Sequence, residues 1–325
     1  MIFLNFLILI VGFVALVKGA DAFVDGSSAL AKIFRVPGVI IGLTVVAMGT
    51  SLPELAVSTT AALQGANEIA FSNVIGSNIF NLLVVLGVCA VIHSVPVDDV
   101  IIRRDFPLSI IVTVGLLFAV GGSQIFSGSL FSLGMADNAG LVSRLIGIIL
   151  LVIFAGYIFY LIFDAIRHPV EEDEISVMPL WKAILFIIFG AALIVAGGKS
   201  VVYSAQNIAR FFGMTETLIG LTVVALGTSL PELVTSIVAA KKGETGLAVG
   251  NVVGSNLFNV LFILGVSTAI HPVTVNVASI YDMTILIFIS ILTLIFSISG
   301  KSIKRLEGII MLLCYIGATT FAIIR

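Results

Sequence analysis

Residues 41–97 recur at 219–275 with a constant offset of 178 and no gap, and 34 of the 57 paired positions are identical. Ile41-Gly42-Leu43-Thr44-Val45-Val46-Ala47 returns as residues 219–225, and Gly49-Thr50-Ser51-Leu52-Pro53-Glu54-Leu55 as Gly227 to Leu233. Gly76-Ser77-Asn78 and Phe80-Asn81 return as Gly254-Ser255-Asn256 and Phe258-Asn259, and the register reaches back weakly to Gly12 with Gly190 and Phe34 with Phe212. Such a repeat constrains the architecture as soon as its elements are known. The elements are apolar runs near the length of about 20 residues that crosses a bilayer as a helix. Ten runs can be marked, at 2–30, 38–63, 70–92, 106–121, 141–163, 180–209, 216–240, 246–270, 282–299 and 305–323. Each half holds five. Five is odd, so the second half enters the membrane from the opposite side, and the halves are inverted about a pseudo-two-fold axis in the membrane plane.

Composition agrees. Hydrophobic residues make up 59% of the chain and charged residues 10%, against about 25% charged in soluble domains. That excludes a soluble enzyme, a secreted disulfide scaffold and a disordered chain. A net charge of −2 offers no surface for nucleic acid. Cys89 and Cys314 lie in apolar runs without a CxxC partner. The expected fold is an all-α membrane protein of ten transmembrane helices in two inverted five-helix repeats, 1–163 and 180–325, with broken second and seventh helices. A short cytoplasmic linker, 164–179, joins them; its Glu171 to Glu174 run reads as solvated, since nothing there resembles an EF-hand loop. The first and sixth runs are long enough to tilt strongly. Ala20-Asp21-Ala22 looks like a cleavage site, but no basic segment precedes the apolar run, and the run has a partner inside the chain.

Lys and Arg set the expected orientation. Lys32, Arg35, Arg103, Arg104, Arg167, Lys182, Lys241, Lys242, Lys301, Lys304 and Arg305 fall on one side, and only Arg144, Arg210 and Arg325 on the other. The first side is expected to be cytoplasmic, with both termini outside the cell membrane.

Glu54 and Glu232 lie mid-span in apolar helices. An ionisable group there is costly and is by default functional. The nearest basic residues, Lys18 and Lys199, are not in matching register, so a structural ion pair is the weaker reading. Pro53 cannot donate to the Gly49 carbonyl, nor Pro231 to that of Gly227, and carbonyls freed in a dry environment need a partner such as a cation. Thr50 is four residues before Glu54 and Ser51 three; Ser77 and Asn81 are also four apart. The second half supplies Thr228, Ser229, Glu232, Ser255 and Asn259. If the four helices cross at the pseudo-two-fold, two carboxylates meet two amides and several hydroxyls. All donors are oxygen, which suits Ca²⁺ and not Zn, Cu or Fe. Two carboxylates balance one Ca²⁺, and Na⁺ can use the same oxygens in turn. Asn73 and Asn251 either extend the site or hydrogen-bond between helices. Gly42, Gly87, Gly220 and Gly265 read as helix contacts, His93 and His271 as interfacial. Asp21 and Asp25 have no acidic mates, since Lys199 and Tyr203 hold their positions, and read as interface-facing.

The two GTSLPE segments, followed by GSNIFN and GSNLFN, resemble the paired repeats of the cation/calcium exchanger superfamily, and within it the prokaryotic sodium/calcium exchangers. The resemblance implies alternating access, with Glu54 and Glu232 as shared Ca²⁺ and Na⁺ ligands. Thr50, Ser51, Ser77, Thr228, Ser229 and Ser255 flank them, backbone carbonyls near Ala47 and Ala225 contribute, and the first and sixth helices move against the rest. Some relatives carry Asp where this chain has Asn259, a pattern linked to potassium dependence, which is not expected here. Proton/calcium exchangers tend to show GNxxE in place of GTSLPE, so proton coupling is the runner-up. A cation channel is the alternative from another class. An enzyme is not expected: no midplane nucleophile–base pair and no cofactor motif is present. The expected partners are Ca²⁺, Na⁺ and the bilayer, and one chain already carries a whole inverted pathway, so a monomer suffices.

Overall fold

The computed structural model describes residues 2–65, 67–128, 132–167, 169, 178–214 and 225–324. The Glu171 to Glu174 run, Gly220 and the beginning of the seventh expected span lie outside the described residues. Twelve described helices position the site: α1 Ile2–Phe34, α2 Gly38–Thr50, α3 Leu52–Leu63, α4 Glu68–Ile92, α5 Ile101–Ser127, α6 Arg144–Arg167, α7 Leu180–Phe211, α8 Ala225–Thr228, α9 Leu230–Lys241, α10 Thr245–Ile270, α11 Val277–Ile298 and α12 Arg305–Ile324. Among the described residues eight are long and apolar enough to cross a membrane, and nine if α2 and α3 form one broken span. α1 and α7, at 33 and 32 residues, are the two long runs.

Proline places the breaks. Pro53 and Pro231 sit at the second position of α3 and α9, where a missing N–H costs nothing within the helix itself. The residue ahead of each helix leaves helical geometry in the same way: Ser51 has φ −83° and ψ 11°, Ser229 φ −94° and ψ 9°. At Ser51 the chain bends by 51°.

The described residues are mostly helical, and one expected span needs correction. Short strands lie between the helices. β1 (Val95–Pro96) pairs antiparallel with β4 (Ser302–Ile303), and β2 (Asn138–Val142) with β3 (Val273–Asn276). These segments between helices alternate buried and exposed residues, as in Val273-Thr274-Val275, and so favour extended pairing. The fourth expected span, 106–121, is too short. Its helix starts at Ile101, where Arg103 stays exposed while Arg104 and Asp105 neutralise each other. Arg104 donates to the buried Asp105 from Nε at 2.8 Å and from Nη2 at 3.1 Å, and Tyr157 Oη donates to it at 3.0 Å. Asp105→Asn removes the charge at constant volume and is expected to destabilise the protein by about 1–3 kcal/mol, read as a lower melting temperature; an unchanged melt would mean the pair holds nothing.

By their packing the described residues form two compact units, Met1–Pro53 with Leu161–Gly254, and Glu54–Tyr160 with Ser255–Arg325. Each unit draws on both halves of the sequence.

In the first unit α1 and α7 touch along glycines. A Cβ placed on Gly19 would lie 2.9 Å from Gly190 O, one on Gly197 2.7 Å from Leu16 N, and one on Gly12 3.1 Å from Gly197 O. Only glycine allows backbones this close. Gly42 packs likewise on Leu247 O and Gly250 Cα, at 2.8 and 3.0 Å. Lys242 ties the half-exposed Asp25 at 2.7 Å and Asp21 at 3.5 Å, which places both acids at the surface. Lys18 is exposed and faces Asp21 at 3.8 Å.

In the second unit Gly87 packs on Gly308 O and Gly265 on Gly147 O, each at 3.2 Å from the added Cβ. His93 and His271 end their helices and are exposed. In the 93–100 connection, the Lys301 ammonium hydrogen-bonds Asp99 and holds its carboxyl below the usual carboxylate range, while burial pushes neighbouring Asp98 up.

Candidate functional site

The first unit gathers one cluster around Glu232. The carboxylate sits in the first turn of α9, where the helix dipole and free N–H groups favour negative charge. It is fully buried. Ser51 Oγ, at the α2 break, donates to Glu232 Oε1 at 2.8 Å, while Glu232 Oε2 has no hydrogen-bond partner. Beside it, Thr50 Oγ1 donates to Asn251 Oδ1 at 2.9 Å and lies 3.1 Å from Val46 O and 3.3 Å from Ala47 O. Asn251 Nδ2 donates to Ser236 Oγ at 2.9 Å and lies 3.4 Å from Glu232 O. Ser229 is fully buried, and Thr228 Oγ1 is buried without a partner. Ala225 begins the short turn that leads to Thr228.

The second unit holds the counterpart around Glu54, in the first turn of α3 and also fully buried. Ser77 Oγ donates to Glu54 Oε1 at 3.4 Å. Asn73 Nδ2 donates to Ser58 Oγ at 2.9 Å and lies 3.3 Å from Glu54 O. These are the contacts of Asn251 with Ser236 and Glu232 O, repeated at the offset of 178. Each asparagine thus ties two helices together through its amide, and Asn251 also accepts from the Thr50 hydroxyl.

The same unit brings Asn78 and Asn81 of α4 against Asn256 and Asn259 of α10. Asn81 Nδ2 donates to Asn256 Oδ1 at 3.1 Å, and Asn259 Nδ2 to Asn78 Oδ1 at 3.0 Å. The Oδ1 atoms of Asn81 and Asn259 and Ser255 Oγ are buried without a partner. Wide π-helical turns run through Asn81–Val85 and Phe258–Ile263, and a third through Gly42–Val46 just ahead of Ala47. Such turns interrupt the regular backbone ladder and recur at functional sites.

Sequence reasoning left out four residues that the structure places in these clusters: Ser58, Ser236, Asn78 and Asn256. The signal was available, since each is identical to its mate in the other half. Among the described residues no three His, Cys, Asp or Glu side chains converge. The polar side chains that do converge are hydroxyls, carboxamides and one carboxylate in each unit, a hard-oxygen set.

Comparison with known proteins narrows the reading. The family model for sodium/calcium exchanger protein matches residues 4–163 and 182–324. The chain is 38% identical over 322 residues to the putative antiporter CaxA of Alkalimonas amylolytica, covering 95% of each. It is 34% identical over 344 residues to the sodium/calcium exchanger MaX1 of Methanosarcina acetivorans, covering 97% of each. It is also similar to solved structures of the sodium-calcium exchanger NCX_Mj; against one soaked with Na⁺ and Sr²⁺ the TM-score is 0.83 at 30% identity, over 98% of this chain and 99% of that one. With the family match spanning both halves, this chain belongs to the sodium/calcium exchanger protein family.

Proposed function

We propose that the chain is a secondary active antiporter that takes Na⁺ in exchange for Ca²⁺, by alternating access, and extrudes Ca²⁺ from the cell. The supporting observation is that five expected ligand oxygens are among the buried side-chain oxygens left without partners: Glu232 Oε2, Thr228 Oγ1, Ser255 Oγ, Asn81 Oδ1 and Asn259 Oδ1. A buried polar atom without a hydrogen bond costs about 1–3 kcal/mol. Five such atoms, beside a buried carboxylate in each unit, form a standing debt that bound cations would offset. Ca²⁺ takes six to eight oxygens at 2.3–2.6 Å, a demand that clustered carboxylates, carboxamides and hydroxyls fit.

In this reading Glu54 and Glu232 are the charged ligands for both ions, and Thr50, Ser51, Ser77, Asn81, Thr228, Ser229, Ser255 and Asn259 complete the set, with the carbonyls of Ala47 and Ala225. Ten spans in two inverted repeats, with both termini outside, complete the topology. An exchange of several Na⁺ for one Ca²⁺ that moves one net charge gains about 2.3 kcal/mol per 100 mV of membrane potential.

The test is radioactive Ca²⁺ uptake into Na⁺-loaded proteoliposomes diluted into Na⁺, K⁺ or choline at fixed pH. Uptake is expected only in K⁺ or choline, under an outward Na⁺ gradient. Uptake driven by a pH gradient without Na⁺ would replace this reading with proton coupling, and flux without any counter-ion would replace it with a channel.

A further inference from the structure

Each of the two site asparagines is locked in orientation by a second asparagine from the opposite helix. A carboxamide has nearly the same shape when flipped, yet one orientation presents an oxygen and the other an NH₂ group. Only the first can ligate a cation. In the second unit Asn78 Nδ2 donates to the backbone carbonyl Asn256 O at 3.1 Å, and Asn256 Nδ2 to Asn78 O at 3.3 Å. A backbone carbonyl accepts and never donates, so these contacts decide which way Asn78 and Asn256 point. Their Oδ1 atoms are then turned to Asn259 Nδ2 and Asn81 Nδ2, at 3.0 and 3.1 Å. All four side chains are at least nine-tenths buried, with exposures of 0–2%. Flipping Asn81 would set its oxygen against Asn256 Oδ1 and turn donors toward the space its own oxygen faces.

We propose that Asn78 and Asn256 are positioning residues that hold the carboxamide oxygens of Asn259 and Asn81 toward the transported cation. The inference rests on the reading of Asn81 and Asn259 as cation ligands. The device is the same contact made twice, since 78 and 256, like 81 and 259, are related by the repeat offset. Each lock is a relay: backbone carbonyl, orienting amide, ligand amide, cation. A cation at the far end polarises the ligand carboxamide and strengthens the N–H donation behind it, so the links reinforce one another. Groups that orient a metal ligand from behind are typically worth 10–100-fold in affinity. The local sequence supports the arrangement: in Ser77-Asn78-Ile79-Phe80-Asn81 the two asparagines are three residues apart, so they lie on neighbouring positions of one helix face.

Equilibrium binding of Ca²⁺, in the absence of Na⁺, to the full-length protein in detergent tests this. Four proteins are compared with the parent: Asn81→Ala, Asn256→Leu, the double variant, and Asn256→Asp. Asn81→Ala and Asn256→Leu are each expected to weaken Ca²⁺ binding about tenfold. The double variant is expected to be no more than about twofold weaker than Asn81→Ala alone, because Asn256 acts through Asn81. Asn256→Asp keeps an acceptor for Asn81 Nδ2 but loses the donor to Asn78 O, and is expected to bind less tightly than the parent and more tightly than Asn256→Leu. Parent-like binding by folded Asn256→Leu, with Asn81→Ala weakened, overturns the positioning role and leaves the ligand reading standing. Losses that multiply in the double variant also overturn it, as they mark a separate structural role. Parent-like binding by Asn81→Ala overturns the ligand reading itself. Should Asn256→Leu fail to fold, binding by folded Asn256→Asp weaker than that of Asn81→Ala overturns the proposal, because a residue acting only through Asn81 cannot cost more than Asn81 itself.

Discussion

Glu232→Gln is expected to lower Na⁺-driven Ca²⁺ uptake at least about 100-fold, equivalent to roughly 2.7 kcal/mol, while leaving a monodisperse, folded protein. Glutamine fills the same volume and still offers an oxygen to Ser51 Oγ, which now sits 2.8 Å from Glu232 Oε1. The fold therefore loses little. What disappears is the negative charge in a fully buried position, where electrostatic interactions are screened far less than at a surface. In the proposed site a dication then meets one fewer carboxylate and is left with uncompensated charge in a medium that penalises it. Initial rates of radioactive Ca²⁺ uptake by matched amounts of reconstituted protein measure the effect. Glu54→Gln is expected to behave alike, since Glu54 has the same burial and the same first-turn position. Parent-like uptake by folded Glu232→Gln would remove the central support of the transport reading.

Gly190→Leu carries the largest expected effect on stability. A Cβ at Gly190 would lie 2.6 Å from Phe23 N and 2.8 Å from Gly19 O. Both are backbone atoms, so no side chain can rotate aside, and α1 and α7 have to separate. Helices in lipid gain no hydrophobic free energy by association; close van der Waals packing holds them, and it weakens along the whole seam. Overpacking costs about 1–3 kcal/mol in ordinary cores, and a bulky side chain against backbone belongs at the upper end. A fall of roughly 5–10 °C in melting temperature is expected. Gly156→Leu is the control, since a Cβ there meets nothing within 4 Å. Equal melting of the two variants would mean that the seam is looser than its spacing implies.

These two positions also show how unevenly the molecule can be read from its residues. Glu54 and Glu232 stand out because a lone acid in an apolar span has few explanations, and Pro53 and Pro231 mark the breaks because a proline ring cannot sit in the interior of a helix. Gly42, Gly87 and Gly265 were legible as helix contacts from recurrence alone, and the structure puts each against a neighbouring backbone. The α1–α7 seam was not legible. Gly12 and Gly190 recur, but nothing local says that their helices touch each other. The Asn78–Asn256 lock was half legible: recurrence flags both residues, yet only their positions on α4 and α10 reveal that each faces the other's backbone. Asp105 was invisible among the charges of a presumed loop, because Tyr157, the partner that keeps it buried, is 52 residues away.

The sequence by itself determined the membrane class, the duplication of one segment, the places where two helices break, and the oxygen chemistry gathered around those breaks. Each follows from short-range facts: the length of an apolar run, the missing N–H of proline, and the spacing of three or four residues that puts side chains on one face. The tertiary structure decided the grouping into units that cut across the two halves, the π-helical turns beside Asn81 and Asn259, the orientation of each carboxamide, and the glycine seam. Those depend on which backbone carbonyl or which bare Cα arrives from a distant part of the chain, and one hydrogen bond made or left open at that meeting point is worth about as much as the local preferences it overrides.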